Sequence, residues 1–195
     1  TTRELARLIR MSGIDMQSIA PDAADTPFGE RSTAGKLFGA TGGVMEAAIR
    51  SAHFLVTGKE LEDLKVQAVR GLDGVKEARV KIGDLELGVA VVSGLQNAAK
   101  ILDDVREGRR NLHFIEVMTC PGGCIAGGGQ PYATNLDSVR ARMQALYNID
   151  RGERVRTSHS NPSVKRLYDE FLGAPLGEKS HHLLHTHYSK REAAV

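Results

Sequence analysis

The sequence contains no tryptophan, two cysteines and six prolines, and aromatic residues make up only 5% of its 195 residues. Two cysteines are too few for the disulfide framework that staples small secreted domains. No window approaches the roughly 18 uncharged apolar residues that a membrane-spanning helix needs. Neither charge sign dominates: 26 Lys+Arg against 24 Asp+Glu leave a formal charge of +2, too balanced to specify nucleic acid or a membrane surface as partner. The chain opens on Thr-Thr-Arg-Glu with no Met, basic n-region or apolar h-region, so a secretory signal is not expected and the start reads as internal or trimmed. No Ser-His-Asp order or paired-carboxylate spacing anchors a hydrolase reading. What is abundant is glycine, 21 residues, in a chain whose 41% hydrophobic and 26% charged content is that of a globular protein.

Local patterns divide the chain. Thr1 precedes Glu4 at capping-box spacing and Leu5, Ala6, Leu8 and Ile9 follow at helical intervals, which predicts a short amphipathic helix ending near Gly13. Residues 21–36 mix Pro, Asp, Gly, Ser and Thr and predict an irregular connection. Gly39, Gly42 and Gly43 punctuate the start of a helix carrying Val44, Ala47, Ala48, Ala52 and Leu55. Between 64 and 92 the period changes to two, so KVQAVRG, EARVKIG and LELGVAVVSG predict three short strands. Residues 95–105 have helical spacing, and 114–118 form a short apolar run that fits a buried strand leading to Cys120. A strand, a helix and a returning strand predict an α/β core. Beyond Pro131 the pattern turns helical, at 135–147 and 162–172, with Asp137 and Ser163 near the starts and Gly173 after the second.

The sharpest chemical signal is FIEVMTCPGGCIAGGGQP. Thiolates hold soft metals and iron–sulfur clusters, and a turn of Pro121, Gly122 and Gly123 lets backbone N–H groups approach sulfur. A pair of buried structural cysteines is an equal reading of the composition, whereas a phosphate loop lacks the Lys-Ser or Lys-Thr it requires. A cubane cluster takes four thiolates and structural zinc four ligands, so Cys120 and Cys124 are half of either site, to be completed by histidines or by another segment.

Other candidates have plainer readings. His181, His182, His185 and His187 lie in SHHLLHTHY, where a metal role competes with packing by Leu183, Leu184 and Tyr188. His53, His113 and His159 are isolated and read as structural. Met45 reads as core filler. Met118, two residues before Cys120, would border whatever the cysteines hold. Glu46 and Glu116 are candidate buried acids, Glu46 with the stronger expectation of a helix surface.

These residues resemble a known family. EVMTCPGGCIAGGGQP closely resembles the last active-site signature of the FeFe hydrogenases, and FGATGGVMEAAIR resembles a second glycine-rich signature of the same catalytic domain. TTRELARLI looks like the segment before it, and SHSNPSVKRLY with YDEFLGAPLGEKSHHLLHTHY is similar to the iron hydrogenase small-subunit module. The resemblance implies an α/β fold: the C-terminal half of the H-cluster catalytic domain at 1–131, then an extended, mainly helical small-subunit module at 132–195. It implies reversible H2 oxidation and proton reduction at an H-cluster, a 4Fe-4S cubane joined to a di-iron unit with CO, cyanide and azadithiolate. By position in the signature, Cys120 would ligate the cubane and Cys124 would bridge it to the di-iron unit. Met118 would flank that unit, and Phe38 and Gly39 would line its pocket. The family's other two cubane cysteines, a proton-relay cysteine and a cyanide-contacting lysine belong to two upstream motifs that are not in this sequence. The missing half of the catalytic domain is thus an expected partner. Further iron–sulfur clusters, and ferredoxin or an NAD(P)- and flavin-binding subunit, are expected to carry electrons, in the cytoplasm and without nucleic acid or a membrane span. Two alternatives are a non-catalytic iron–sulfur relative that keeps the cysteine loop, and a plain interaction module formed by the helical tail.

Overall fold

Alternation over EARVKI and LELGVAVV, with Gly-Asp between, folds as an antiparallel hairpin of β1 (Val75–Ile82) and β2 (Leu85–Ser93), in which Ile82 faces Leu85 across the Gly83-Asp84 turn. The computed structural model describes residues 1–27, 29–63, 65–132 and 135–189. From β2 the chain crosses over through α1 (Leu95–Arg106) and returns as β3 (Phe114–Met118), parallel to β2, so the sheet order is β1-β2-β3. This is the expected strand, helix and returning strand, except that β3 is not the buried strand expected: Phe114 and Val117 are exposed, because β3 is the sheet's edge. The N-terminal helix, αN, spans Thr2–Met11.

The central strand is covered on both faces, as a parallel neighbour demands. Val89 and Val91 pack with Met45, Ile49 and Val69 on one side, and Ala90 and Val92 pack with Ala98 and Ile101 on the other. Each fully buried Val contributes on the order of 1.5–3 kcal/mol by leaving water. The helix over the first face is Gly43–Thr57, termed αG for its glycine entry, and α1 covers the second face. A third cluster, Ala40, Ile125, Val139 and Met143, joins the cysteine loop to α2 (Leu136–Gly152). Asn135 caps α2 through the N–H of Ser138, and Asn161 caps α3 (Pro162–Leu167), so the starts lie at the asparagines next to the expected Asp137 and Ser163. Among the described residues no strand follows β3, which agrees with the helical C-terminal third.

Three expectations are corrected. KVQAVRG is not a strand: residues Gln67–Val69 form a 3-10 turn, because Val69 is drawn into the core under αG and Arg70 reaches a buried carboxylate, Glu46. Residue 64, where the period-two region was expected to begin, lies outside the described residues. The run 162–172 is α-helical only to Leu167, then widens into a π-type turn, Tyr168–Leu172, before Gly173 at φ 76°. Glu46 is not at the surface but 1% exposed. The amphipathic helix αN is present and capped as expected, yet none of its residues is buried; Leu5, Leu8 and Met11 stand exposed.

Candidate functional site

Strand β3 delivers Met118, half-buried, to a loop that reverses twice within ten residues. Its turns close with Gly123 N–H donating to Cys120 O (3.0 Å), Ala126 N–H to Gly123 O (3.0 Å), and Gly127 N–H to Cys124 O (3.1 Å). Gly122 and Gly123 sit at φ 85° and 92°, a region in which side-chain-bearing residues are strained. Gly123 is doubly constrained, since a Cβ there would lie 2.8 Å from both Gly39 O and Thr41 N.

That close approach brings the two glycine-rich signatures together. The turn Leu37–Gly39 and residues 40–42 lie against the cysteine loop, and Thr41 N–H donates to Gly122 O at 3.1 Å. Gly39 packs over Leu146 and Ile125, and Phe38 is 46% exposed at the same edge. Two further supports hold the loop from outside. Arg142 of α2 donates to Ile125 O at 2.9 Å, and Arg3 of αN binds Gly128 O through its side chain and Gly129 O through its backbone. The structure therefore brings the turn that carries Phe38 and Gly39 against the loop that carries Cys120 and Cys124, with Met118 two residues before Cys120, although the two segments lie some 80 positions apart in sequence. Arg3 and Arg142 escaped sequence reasoning because single surface-type arginines carry no pattern.

Below the wall, the Glu116 carboxylate is 5% exposed and accepts from Gly42 N–H and Met45 N–H, both at 2.6 Å, at the entry of αG. Lys76 lies nearby and donates to Gly71 O at 2.8 Å. Burial pushes its pKa down, against the Glu116 and Asp73 charges that hold it up. Behind αG is a buried ionic cluster. Arg50, 0% exposed, donates to both oxygens of Asp150 (2.8 Å each) and to Glu46 at 2.5 Å. Arg70 donates twice to Glu46 at 2.7 Å, and Thr33 and Arg156 complete Asp150 at 2.7 and 2.8 Å. Burial raises the Asp150 pKa, but hydrogen bonds from Arg50, Arg156 and Thr33 and the Arg50 charge outweigh it and hold it far below the usual carboxylate range.

The histidines fall elsewhere. His159 joins Ser51 and Glu60 and stacks on Phe54, and His113 accepts from Gly88 N–H, both structural as expected. His181 and His185 stack at 4.4 Å on the C-terminal helix Glu178–Leu184 and its cap, but among the described residues no group of three or more His, Cys, Asp or Glu is arranged to hold a metal. The packing expected of Leu183, Leu184 and Tyr188 is not made either: all three are exposed. Residues 190–195 of the expected module lie outside the described residues.

Both cysteines are free thiols, Cys120 half-buried and Cys124 exposed. The wall fits a thiolate-held cluster. Its donors are soft, and two buried hydroxyls bordering the wall, Thr41 and Ser93, have no hydrogen-bond partner among the described residues. The profile described as "Iron only hydrogenase large subunit, C-terminal domain" matches residues 1–128. The chain belongs to the iron-only hydrogenase family. The profile "Iron hydrogenase small subunit" matches residues 136–191. Subunit HndD of the NADP-reducing hydrogenase of Solidesulfovibrio fructosivorans is 49% identical over 193 residues, 98% of this chain and 33% of that protein. Iron hydrogenase 1 of Clostridium pasteurianum is 42% identical over 195 residues, 97% and 34% of the respective lengths. The structure of [FeFe]-hydrogenase HydA1 from Chlamydomonas reinhardtii superposes with a TM-score of 0.74 at 39% identity, covering 95% of this chain and 53% of that one. Cytosolic iron-sulfur assembly component 3 of Rattus norvegicus is more distant, 29% identical over 193 residues, 96% and 40% of the two lengths. This iron-only hydrogenase chain thus spans about a third of the curated relatives it matches. Among the described residues no helix is long and apolar enough to cross a membrane.

Proposed function

We propose that this chain forms one wall of an H-cluster site and, with the remaining half of the catalytic domain, interconverts H2 with protons and electrons. The observation that carries the reading is the convergence of the two glycine signatures, Gly123 against Gly39 and Thr41, which supports a shared site for Cys120, Cys124, Met118, Phe38 and Gly39. Cys120 would hold the cubane, and Cys124 would hold both cubane and di-iron unit. Bound there, the cluster supplies low-potential electrons and an iron site for H2. The chain's own residues shape the cavity. Met118 and Phe38 offer apolar, non-acidic surface that excludes water, and the glycines let backbone N–H groups stand close to sulfur and to small ligands.

The exposed Phe38 and Cys124, and the uncovered apolar face of αN, support a partner surface supplied by the other half of the domain. The domain reading is the catalytic half at 1–131 and the small-subunit module at 132–195, supported by the two profile matches. Electron exchange with ferredoxin or an NAD(P)-linked flavin subunit, and a cytoplasmic setting, belong to this reading; the nicotinamide arm is supported by the relative named as NADP-reducing. After maturation, infrared bands of metal-bound CO and cyanide are expected together with H2 turnover. An intact mass equal to these 195 residues, with full activity and no second polypeptide, would overturn the two-half reading. The iron–sulfur assembly relative supports a second reading, a non-catalytic cluster protein. Absence of those infrared bands in a matured, cluster-loaded protein decides for it.

A further inference from the structure

We propose that Glu116 is a positioning residue for the cluster wall, setting the spacing between the strand that carries Met118 and Cys120 and the loop that carries Phe38 and Gly39. The proposal rests on the H-cluster reading above. Glu116 lies on β3 two residues before Met118 and four before Cys120, and its carboxylate spans the gap to αG with one oxygen on Gly42 N–H and the other on Met45 N–H. Gly42 directly follows the segment 38–41. The two segments are therefore tied at two points, Glu116 to the entry of αG and Thr41 N–H to Gly122 O, with Met118 and Cys120 between the two ties on the strand side and Phe38 and Gly39 just before them on the other. A carboxylate suits this position because two convergent N–H donors at a helix start need two acceptors and favour negative charge. An ordinary helix cap is local, whereas this one joins residues more than 70 positions apart in two different pocket-forming segments.

Glu116→Gln is nearly isosteric but replaces one acceptor by an NH2 donor that would face an N–H. In the matured, full-length enzyme, Glu116→Gln is expected to load its cluster yet to split or broaden the CO and cyanide infrared bands, because the loop bearing Phe38 and Gly39 takes more than one distance from the strand. In metal-free protein the Gly42 or Met45 amide should exchange with solvent about tenfold faster or more, the scale of losing one hydrogen bond to a charged group. Asp150→Asn serves as the control, since it loosens the far side of αG without touching the wall; it should lower the melting temperature and leave the bands unchanged. Wild-type bands in Glu116→Gln, or equal splitting in Asp150→Asn at matched loss of stability, would overturn the positioning role. Absence of bands in the wild type would instead overturn the hydrogenase reading, so the two failures are distinguishable.

Discussion

The two sides of αG are built by opposite means. Its N-terminal side, where the cluster is proposed, is a wall of backbone: glycines, main-chain hydrogen bonds and one reaching carboxylate, with Cys124 and Phe38 left exposed. Its far side is a sealed ionic cluster in which Glu46, Arg50 and Asp150 are each no more than 1% exposed and every carboxylate oxygen has a guanidinium or hydroxyl partner. Side chains on the open wall would crowd the space that a cluster needs. On the sealed side, geometry must be complete, because an unpaired charge there has no water to turn to. The open side keeps space free, and the closed side keeps geometry fixed.

The contrast can be broken from either side. The largest effect expected is from Cys124→Ser, which should lose the di-iron unit and all H2 turnover, since a hydroxyl is a poor bridging ligand; gas chromatography and iron analysis read it, and retained turnover contradicts the role. On the sealed side, Asp150→Ala takes away the carboxylate that Arg50, Arg156 and Thr33 share and should cost about 3–5 kcal/mol in urea unfolding. The same residue dictates a pH dependence. Its folded pKa lies well below its unfolded value of about 3.9, so its stabilisation is complete above roughly pH 5 and is lost as pH falls toward the folded value. Acid titration of Asp150→Asn should show a shallower slope in that window than the parent. Gly123→Ala, forced to keep φ 92° and ψ −166° against Thr41, should lose about 1–3 kcal/mol and loosen the wall, measured by melting and by cluster occupancy. Met118→Leu is expected to do least: less than about 1.5 kcal/mol in stability, cluster retained, with rate or oxygen sensitivity altered.

Much of the wall was legible before folding. Met118, Cys120 and Cys124 form a contiguous motif, and the strand 114–118 and helix 95–105 were visible because period and β-branching act locally. The misread segments share a cause. KVQAVRG alternates like a strand, but no sheet edge receives it; a long-range ion pair from Arg70 and burial of Val69 under αG override local preference. Glu46 has the spacing of a surface i,i+4 pair with Arg50, and partners from distant segments, Asp150 on Arg50 and Arg70 on Glu46, hold that pair buried.

Chemistry and local form were therefore written in the residues: soft thiol donors, glycine turns, a β-branched central strand, and capped helices. Tertiary structure alone decided which of those pieces meet. Gly39 and Gly123, Glu116 and Met45, Arg50 and Asp150 are pairs separated by dozens of residues, and no short-range pattern encodes a contact whose energy comes from burial shared by both partners.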